Sequence, residues 1–261
     1  MDLELNGKRA LVTGASKGIG LGIARGLAAE GVHVTMVARS ADRLAAEAER
    51  IASELHIEAA PFPCDLSQSD EQHRLADHLT AEPLDIVVNN AGAIPGGSIT
   101  NVDEETWRDA WDLKVFGYIN LTRLLLPHLE AQATDGAPRV LLNVIGAAAD
   151  RPSPGYIAGA VGNSGLVALS KAIGSNSIRR GVRVLAVNPG LIITDRMGDL
   201  LKQQAEARWG DPSRWEELIP EDPAPGTVEQ VADVVTFLVS ARASHVSGTA
   251  LTIDGGAGAR S

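Results

Sequence analysis

The segment "TGASKGIG", residues 13–20, sits between the apolar run "RALV" at 9–12 and the Ala-, Ile- and Leu-rich run "LGIARGLAA" at 21–29. That order reads as a strand, a glycine turn and a helix. Glycines at 14, 18 and 20 supply positive φ and let a ligand come close to the backbone. The helix start then presents unpaired N–H groups and a partial positive charge above the turn. The turn, with Gly14, Ser16, Lys17, Gly18, Ile19 and Gly20, is therefore a candidate pyrophosphate cradle. Its spacing is G-x-x-x-G-x-G rather than G-x-G-x-x-G. A glycine turn alone is common; this one gains weight from standing after the first strand of a repeating pattern.

The pattern runs outward from there. "VHVTMVAR" (32–39) reads as a strand and "ADRLAAEAERIASEL" (41–55) as a helix with apolar spacing of three and four. "IEAAPFPCDLS" (57–67) is a strand, "EQHRLADHLTA" (71–81) a helix, and "LDIVVNNAG" (84–92) a strand ending in a polar-glycine loop. One long helix is expected across 103–132, then a strand at 138–146, a helix at 156–181, a strand at 182–190, a helix at 228–240 and a last strand at 248–256. Strands alternating with helices imply a parallel sheet covered on both faces. The segment 194–227 breaks the rhythm: it is long, charged, Pro-rich toward its end, and carries Trp209 and Trp215. Loops after strands line the ligand crevice of such sheets, so 194–227 is expected to be a substrate lid.

Composition narrows the partners. Net charge is −10 over 261 residues, with no basic cluster, which disfavours binding to a phosphate backbone. Cys64 is the single cysteine, so no intrachain disulfide forms, and it is expected to be a small buried residue at a strand end in a reducing cytoplasm. The start "MDLELNGKRA" is charged at once, so no signal peptide is expected. Apolar runs fall short of the ~18 residues a bilayer span needs, so no membrane association is expected. The six histidines form no ligand spacing, and no metal site is expected.

The end of the second strand selects between dinucleotides. An acid there would bond a ribose 2′-hydroxyl. This chain has Ala38 and then Arg39, whose guanidinium can fork onto a 2′-phosphate, and Lys17 adds a second cation. The expected cofactor is NADP(H), with NAD(H) as the weaker alternative.

Together "TGASKGIG", "CDL" (64–66), "NNAG" (89–92), "NPG" (188–190) followed by Thr194, and "SGTALTIDGG" (247–256) resemble the short-chain dehydrogenase/reductase family. Order and spacing match over essentially the whole chain. The resemblance implies an α/β Rossmann-type fold: a doubly wound, seven-stranded parallel sheet with helices on both faces. It implies a single dinucleotide-binding domain over 1–261, in a homotetramer or dimer acting on a small molecule. It also places Asp65 and Leu66 near the adenine, and Asn90, Ala91 and Gly92 along the adenosine ribose. Pro189, Gly190, Ile192 and Thr194 would hold the nicotinamide end.

The family's catalytic residues are an asparagine on the long helix, a serine after the fifth strand, and a Y-x-x-x-K pair. The lysine charge brings the tyrosine below its free pKa of ~10, so that it can exchange a proton near neutrality. One register puts that tyrosine on Tyr156, with Ala160 at the lysine position. A second counts back from "LSKAIG" (169–174) and gives Gly146, Gly159 and Asn163 for serine, tyrosine and lysine. The second is preferred because both offsets then agree without a gap. Lys171 lies too far along the helix to substitute. In "WDLKVFG" (111–117) the asparagine position holds Lys114. The amide and the ammonium are thus exchanged between positions that sit close together in the family. Tyr156, Lys114 and Asn163 are the candidate catalytic residues. Residues 156, 159 and 163 share one helix face, so Tyr156 either folds into the space Gly159 leaves or lines the pocket mouth.

The expected activity is NADP(H)-dependent oxidation or reduction of a small carbonyl or alcohol, with a non-standard proton donor. Two alternatives stand beside it: a non-redox enzyme on the same fold, and a protein that holds NADP(H) without turnover.

Overall fold

The computed structural model describes residues 1–133 and 139–259. Seven parallel strands form one sheet in the order β3-β2-β1-β4-β5-β6-β7. They are β1 Arg9–Thr13, β2 His33–Ala38, β3 Ala59–Pro63, β4 Ile86–Asn89, β5 Arg139–Val144, β6 Val182–Pro189 and β7 Ala250–Ile253. The expected start of β5 at Pro138 lies outside the described residues. Every residue of β4, β5 and β6 is buried, which is why these segments are mostly apolar, with Asn89, Arg139, Asn143, Arg183 and Asn188 as buried polar exceptions. Strand alternation divides them between two cores: Ala10, Val12, Ile86, Val88, Val140 and Leu142 face one layer. Leu11, Val87, Leu141, Val182 and Val184 face the other. β3 carries Pro61 and Pro63 and lies at the sheet edge, where a missing N–H costs least.

Among the described residues eight α-helices surround the sheet: α1 Gly18–Ala29, α2 Ala41–Leu55, α3 Ser69–Thr80, α4 Glu104–Trp111, α5 Gly117–Gln132, α6 Ile157–Ser177, α7 Asp195–Trp209 and α8 Val228–Val239. Ile23 and Leu27 of α1, Leu44 and Ile51 of α2, and Val231 and Val235 of α8 fill the first layer. Leu75 and Leu79 of α3 and Leu121, Leu125 and Leu129 of α5 fill the second.

Two expectations need correction. The helix across 103–132 is not regular: a π-helical turn, Asp112–Phe116, separates α4 from α5. The wider turn carries Lys114 inward, to a carbonyl on the far side of the cavity it lines. Also, Ile157–Arg180 is long and apolar enough to span a bilayer by length and composition. Half of that stretch is buried inside the fold, so it is a core helix, apolar because Ala, Gly and Leu pack against the sheet.

Arg183 of β6 is buried and donates to Leu238 O at 2.8 Å, Ser240 O at 3.0 Å and Val246 O at 3.3 Å. Its guanidinium closes the C-terminal end of α8, where unpaired carbonyls favour a cation. Arg183→Met should therefore lower unfolding free energy by roughly 2–4 kcal/mol, because several buried carbonyls lose their donor. Arg183→Lys should recover only part of this, since one ammonium cannot reproduce the fork. Urea unfolding of the three proteins checks the order.

Candidate active site

The carboxyl ends of β1 and β4 part where the strand order reverses, and a cavity of about 500 Å³ opens between them. Gly14 has φ +68° and Gly18 φ +57°, conformations that favour glycine. A β-carbon on Gly20 would stand 2.3 Å from Gly14 O and 2.4 Å from Asn90 Nδ2, so no side chain fits there. Lys17 precedes α1 without capping it, and the first turn carries no acid. The helix N–H groups are left facing the cavity, as an anion requires.

Gly14, Ser16, Lys17, Gly18, Ile19, Arg39, Leu66, Asn90, Ala91, Gly92 and Thr194 all line this lobe. Asp65 is placed differently: its carboxylate accepts from Ser67 N at 3.0 Å and Ser67 Oγ at 2.8 Å, closing a turn, and Leu66 and Cys64 form the wall instead. Burial pushes the Cys64 thiol up to about 11, with Glu71 acting in the same direction.

A second lobe of about 460 Å³ shares Ile19, Asn90, Gly92 and Thr194 with the first and contains Pro189, Gly190 and Ile192. The cofactor candidates other than Asp65 and Gly20 thus lie along one continuous cleft. Its inner wall joins the three catalytic candidates. Lys114, buried, donates from Nζ to Ile145 O at 2.6 Å, and its stem runs against Gly92. Asn163 is 1 % exposed; its Oδ1 is a buried acceptor without a hydrogen-bond donor, and its Nδ2 faces Gly146. The Tyr156 ring folds back over Gly159, where a β-carbon would lie 2.0 Å from Tyr156 Cε1. The ring also joins Trp107 and Trp111 around a small buried cluster of Ile94, Ala110 and Ala158.

The glycines of α6 thus have separate causes. Gly159 admits the Tyr156 ring. Gly162 admits the close crossing of the α4 end, where a β-carbon would meet Val115 Cγ2 at 2.9 Å. Gly165 faces open space. Gly146, at φ +136°, would set a β-carbon 3.1 Å from Asn163 Nδ2. Underneath, Asn89 donates to Asn143 at 2.9 Å, Asn143 to Ser170 at 2.9 Å, and Ser170 to Leu166 O at 2.7 Å. This buried chain fixes α6 on β4 and β5.

A family profile described as Enoyl-(Acyl carrier protein) reductase matches residues 14–258. The 3-oxoacyl-(acyl-carrier-protein) reductase of Staphylococcus aureus is 30% identical over 254 residues, spanning 95% of this chain and 97% of that one. The chain belongs to the short-chain dehydrogenase/reductase family. Within the family, the fold is similar to L-sorbose reductase from Gluconobacter frateurii complexed with NADPH and L-sorbose: TM-score 0.88, 29% identity, 98% of each chain. It is likewise similar to 3-ketoacyl-(acyl-carrier-protein) reductase from Brucella melitensis complexed with NADH: TM-score 0.83, 29% identity, 97% of this chain and 99% of that one.

Sequence reasoning did not single out Arg151 and Ala257, which line the second lobe beside Met197 and Leu200 of the expected lid and Asp254 of the 247–256 motif. The charged pair Asp150–Arg151 after β5 is the signal the sequence offers for Arg151. Trp209 and Trp215 of the 194–227 segment do not line either lobe; Trp209 carries the guanidiniums of Arg208 and Arg214 on its ring at 4.9 and 4.3 Å.

Because the Cys64 thiol stays protonated until its raised pKa of about 11, alkylation of the native protein should stay slow from neutral pH and climb only as that value is approached. Unfolded protein should label fast at a pH near the ordinary thiol value. A native rate already rising with the unfolded one would contradict the burial.

Proposed function

We propose that this protein is an NADP(H)-dependent oxidoreductase for a small carbonyl or alcohol, moving its proton without the family's Y-x-x-x-K pair. The nicotinamide, when bound, supplies or accepts the hydride. The observation that carries the reading is the convergence of the Lys114 ammonium and the Asn163 carboxamide on Ile145–Gly146. That wall faces the substrate lobe and continues the nucleotide lobe. A buried ammonium there stabilises negative charge developing on a carbonyl oxygen. Tyr156 is the phenol that lines the same lobe. Asn163 Oδ1 lacks a donor while buried, a cost of about 1–3 kcal/mol that a ribose or substrate hydroxyl would remove.

Lys17 and Arg39 favour a 2′-phosphate. Relatives with NADPH and with NADH share the fold, so these side chains, rather than the architecture, make the choice. The segment 194–227 acts as the lid: Thr194, Met197 and Leu200 at its start line the substrate lobe, and Asp195 and Asp199 line the nucleotide lobe.

Calorimetry should find NADPH bound more tightly than NADH, and Arg39→Asp should reverse the order through loss of a charge-assisted fork, a swing of roughly 10- to 100-fold. With a carbonyl panel followed at the NADPH absorbance band, Lys114→Met and Tyr156→Phe should each lower kcat by ~100-fold or more, the scale of an acid–base or oxyanion contribution. Retention of wild-type kcat by both variants would remove the proposed chemistry. NADPH binding without turnover of any carbonyl would leave a silent binder.

A further inference from the structure

The mouth of the substrate lobe carries an arginine that the chemistry above does not use. Arg151 lies in the loop between β5 and α6, and its Nη1 donates to the carbonyl of Ala257 in the C-terminal turn. Among the described residues no carboxylate lies within ion-pair distance of it. Nearby acids are engaged elsewhere. Asp254 accepts from Gly256 N at 2.9 Å and Gly258 N at 2.6 Å. Asp150 Oδ2 accepts from Asn188 at 3.0 Å and Thr252 at 2.8 Å. The lobe that Arg151 shares with Lys114 and Asn163 is also lined by Ala147, Ala148, Leu191, Met197 and Leu200, with Tyr156, Thr194 and Asp254 as polar members.

A guanidinium tethered through Nη1 keeps its opposite edge, Nε–H and Nη2–H, as a planar two-donor fork. That fork matches the two oxygens of a carboxylate. The apolar members of the lining suit methylenes.

We propose that Arg151 anchors the carboxylate of an oxo-acid substrate, whose carbonyl lies at the Lys114–Asn163 wall and whose short aliphatic spacer lies along Ala147, Ala148, Met197 and Leu200. This rests on the reading of the lobe as a carbonyl site. The anchor sets substrate preference and takes no part in hydride or proton transfer.

The test is calorimetry on the protein saturated with NADP⁺. Acetoacetate and levulinate, their methyl esters, and the oxoalkyl phosphonate matching levulinate are titrated. At least one acid should bind about 10-fold or more tighter than its ester, the scale of a charge-assisted fork. Arg151→Met should erase the gap by weakening the acid alone, with NADPH affinity unchanged, and Arg151→Lys should keep part of it. In turnover the same split should fall on KM rather than kcat. Equal affinity for acids and esters, no binding of either acid, tighter binding of the phosphonate, or parallel loss of acid and ester in Arg151→Met overturns the assignment. Acid-selective, Arg151-dependent binding without NADPH oxidation supports the anchor and overturns the oxidoreductase reading, so the two fail separately.

Discussion

The cleft depends on a small polar clamp between Thr13 and Asn90. Thr13 ends β1, Asn90 follows β4, and these adjacent strands send their chains to opposite faces of the sheet. Thr13 Oγ1 accepts from Asn90 N at 2.8 Å and Ala91 N at 3.0 Å, while Asn90 Nδ2 donates to Thr13 O at 2.9 Å. Each bond is worth about 0.5–1.5 kcal/mol net, but together they fix where the strands separate. Gly20 is then forced. Its missing β-carbon is the room the Asn90 carboxamide needs, quite apart from any phosphate. The glycine turn and the "NNAG" loop, far apart in sequence, are two halves of one contact.

A similar coupling joins pairs of positions along the second lobe. A side chain at 146 would press on the Asn163 amide and would also need to adopt φ +136°. A side chain at 159 would occupy the Tyr156 ring. Gly146 therefore goes with Asn163, and Gly159 with Tyr156. Placing a serine or a tyrosine singly at these sites would strain the wall. The amide chain from Asn89 through Asn143 to Ser170 keeps α6 at a fixed height, so such strain has little room to relax.

The strands and most of the helices were legible because they follow from local periodicity, the glycine turn because of its stereochemistry, and the seven-stranded parallel sheet through the family resemblance. The central strands need no partner to be read: "IVVN" and "VRVLAVNP" are apolar enough that only a doubly covered sheet suits them. What was not legible depends on contacts between distant segments. Nothing in "WDLKVFG" announces a π-turn; the Lys114 ammonium on that turn meets the Ile145 carbonyl, a contact between distant segments. The resemblance places Asp65 on the adenine side; in the fold its Oδ1 accepts from Ser67 N and Oγ, two residues on, a turn contact that motif matching does not show. Arg151 becomes part of a site only through Ala257, 106 residues further along the chain.

Charge balance at the cleft follows from how exposed its ions are. The chain carries a net charge of −10, and Asp195 and Asp199 of α7 line the nucleotide lobe opposite Lys17 and Arg39. Arg43 reaches Asp195 at 3.8 Å, but the two side chains are 49% and 73% exposed, so the pair is worth no more than about 1 kcal/mol. Helix N–H groups and cavity cations act at contact distance, where water is partly excluded, while the net charge acts through screening solvent over more than a Debye length. A doubly charged phosphate therefore gains more from the cradle than it loses to the acidic surface. The same inequality holds at the other lobe. There, among the described residues, Arg151 is tethered to Ala257 O through Nη1 alone, while Asp254 accepts from the amides of Gly256 and Gly258 and Asp150 Oδ2 from Asn188 and Thr252.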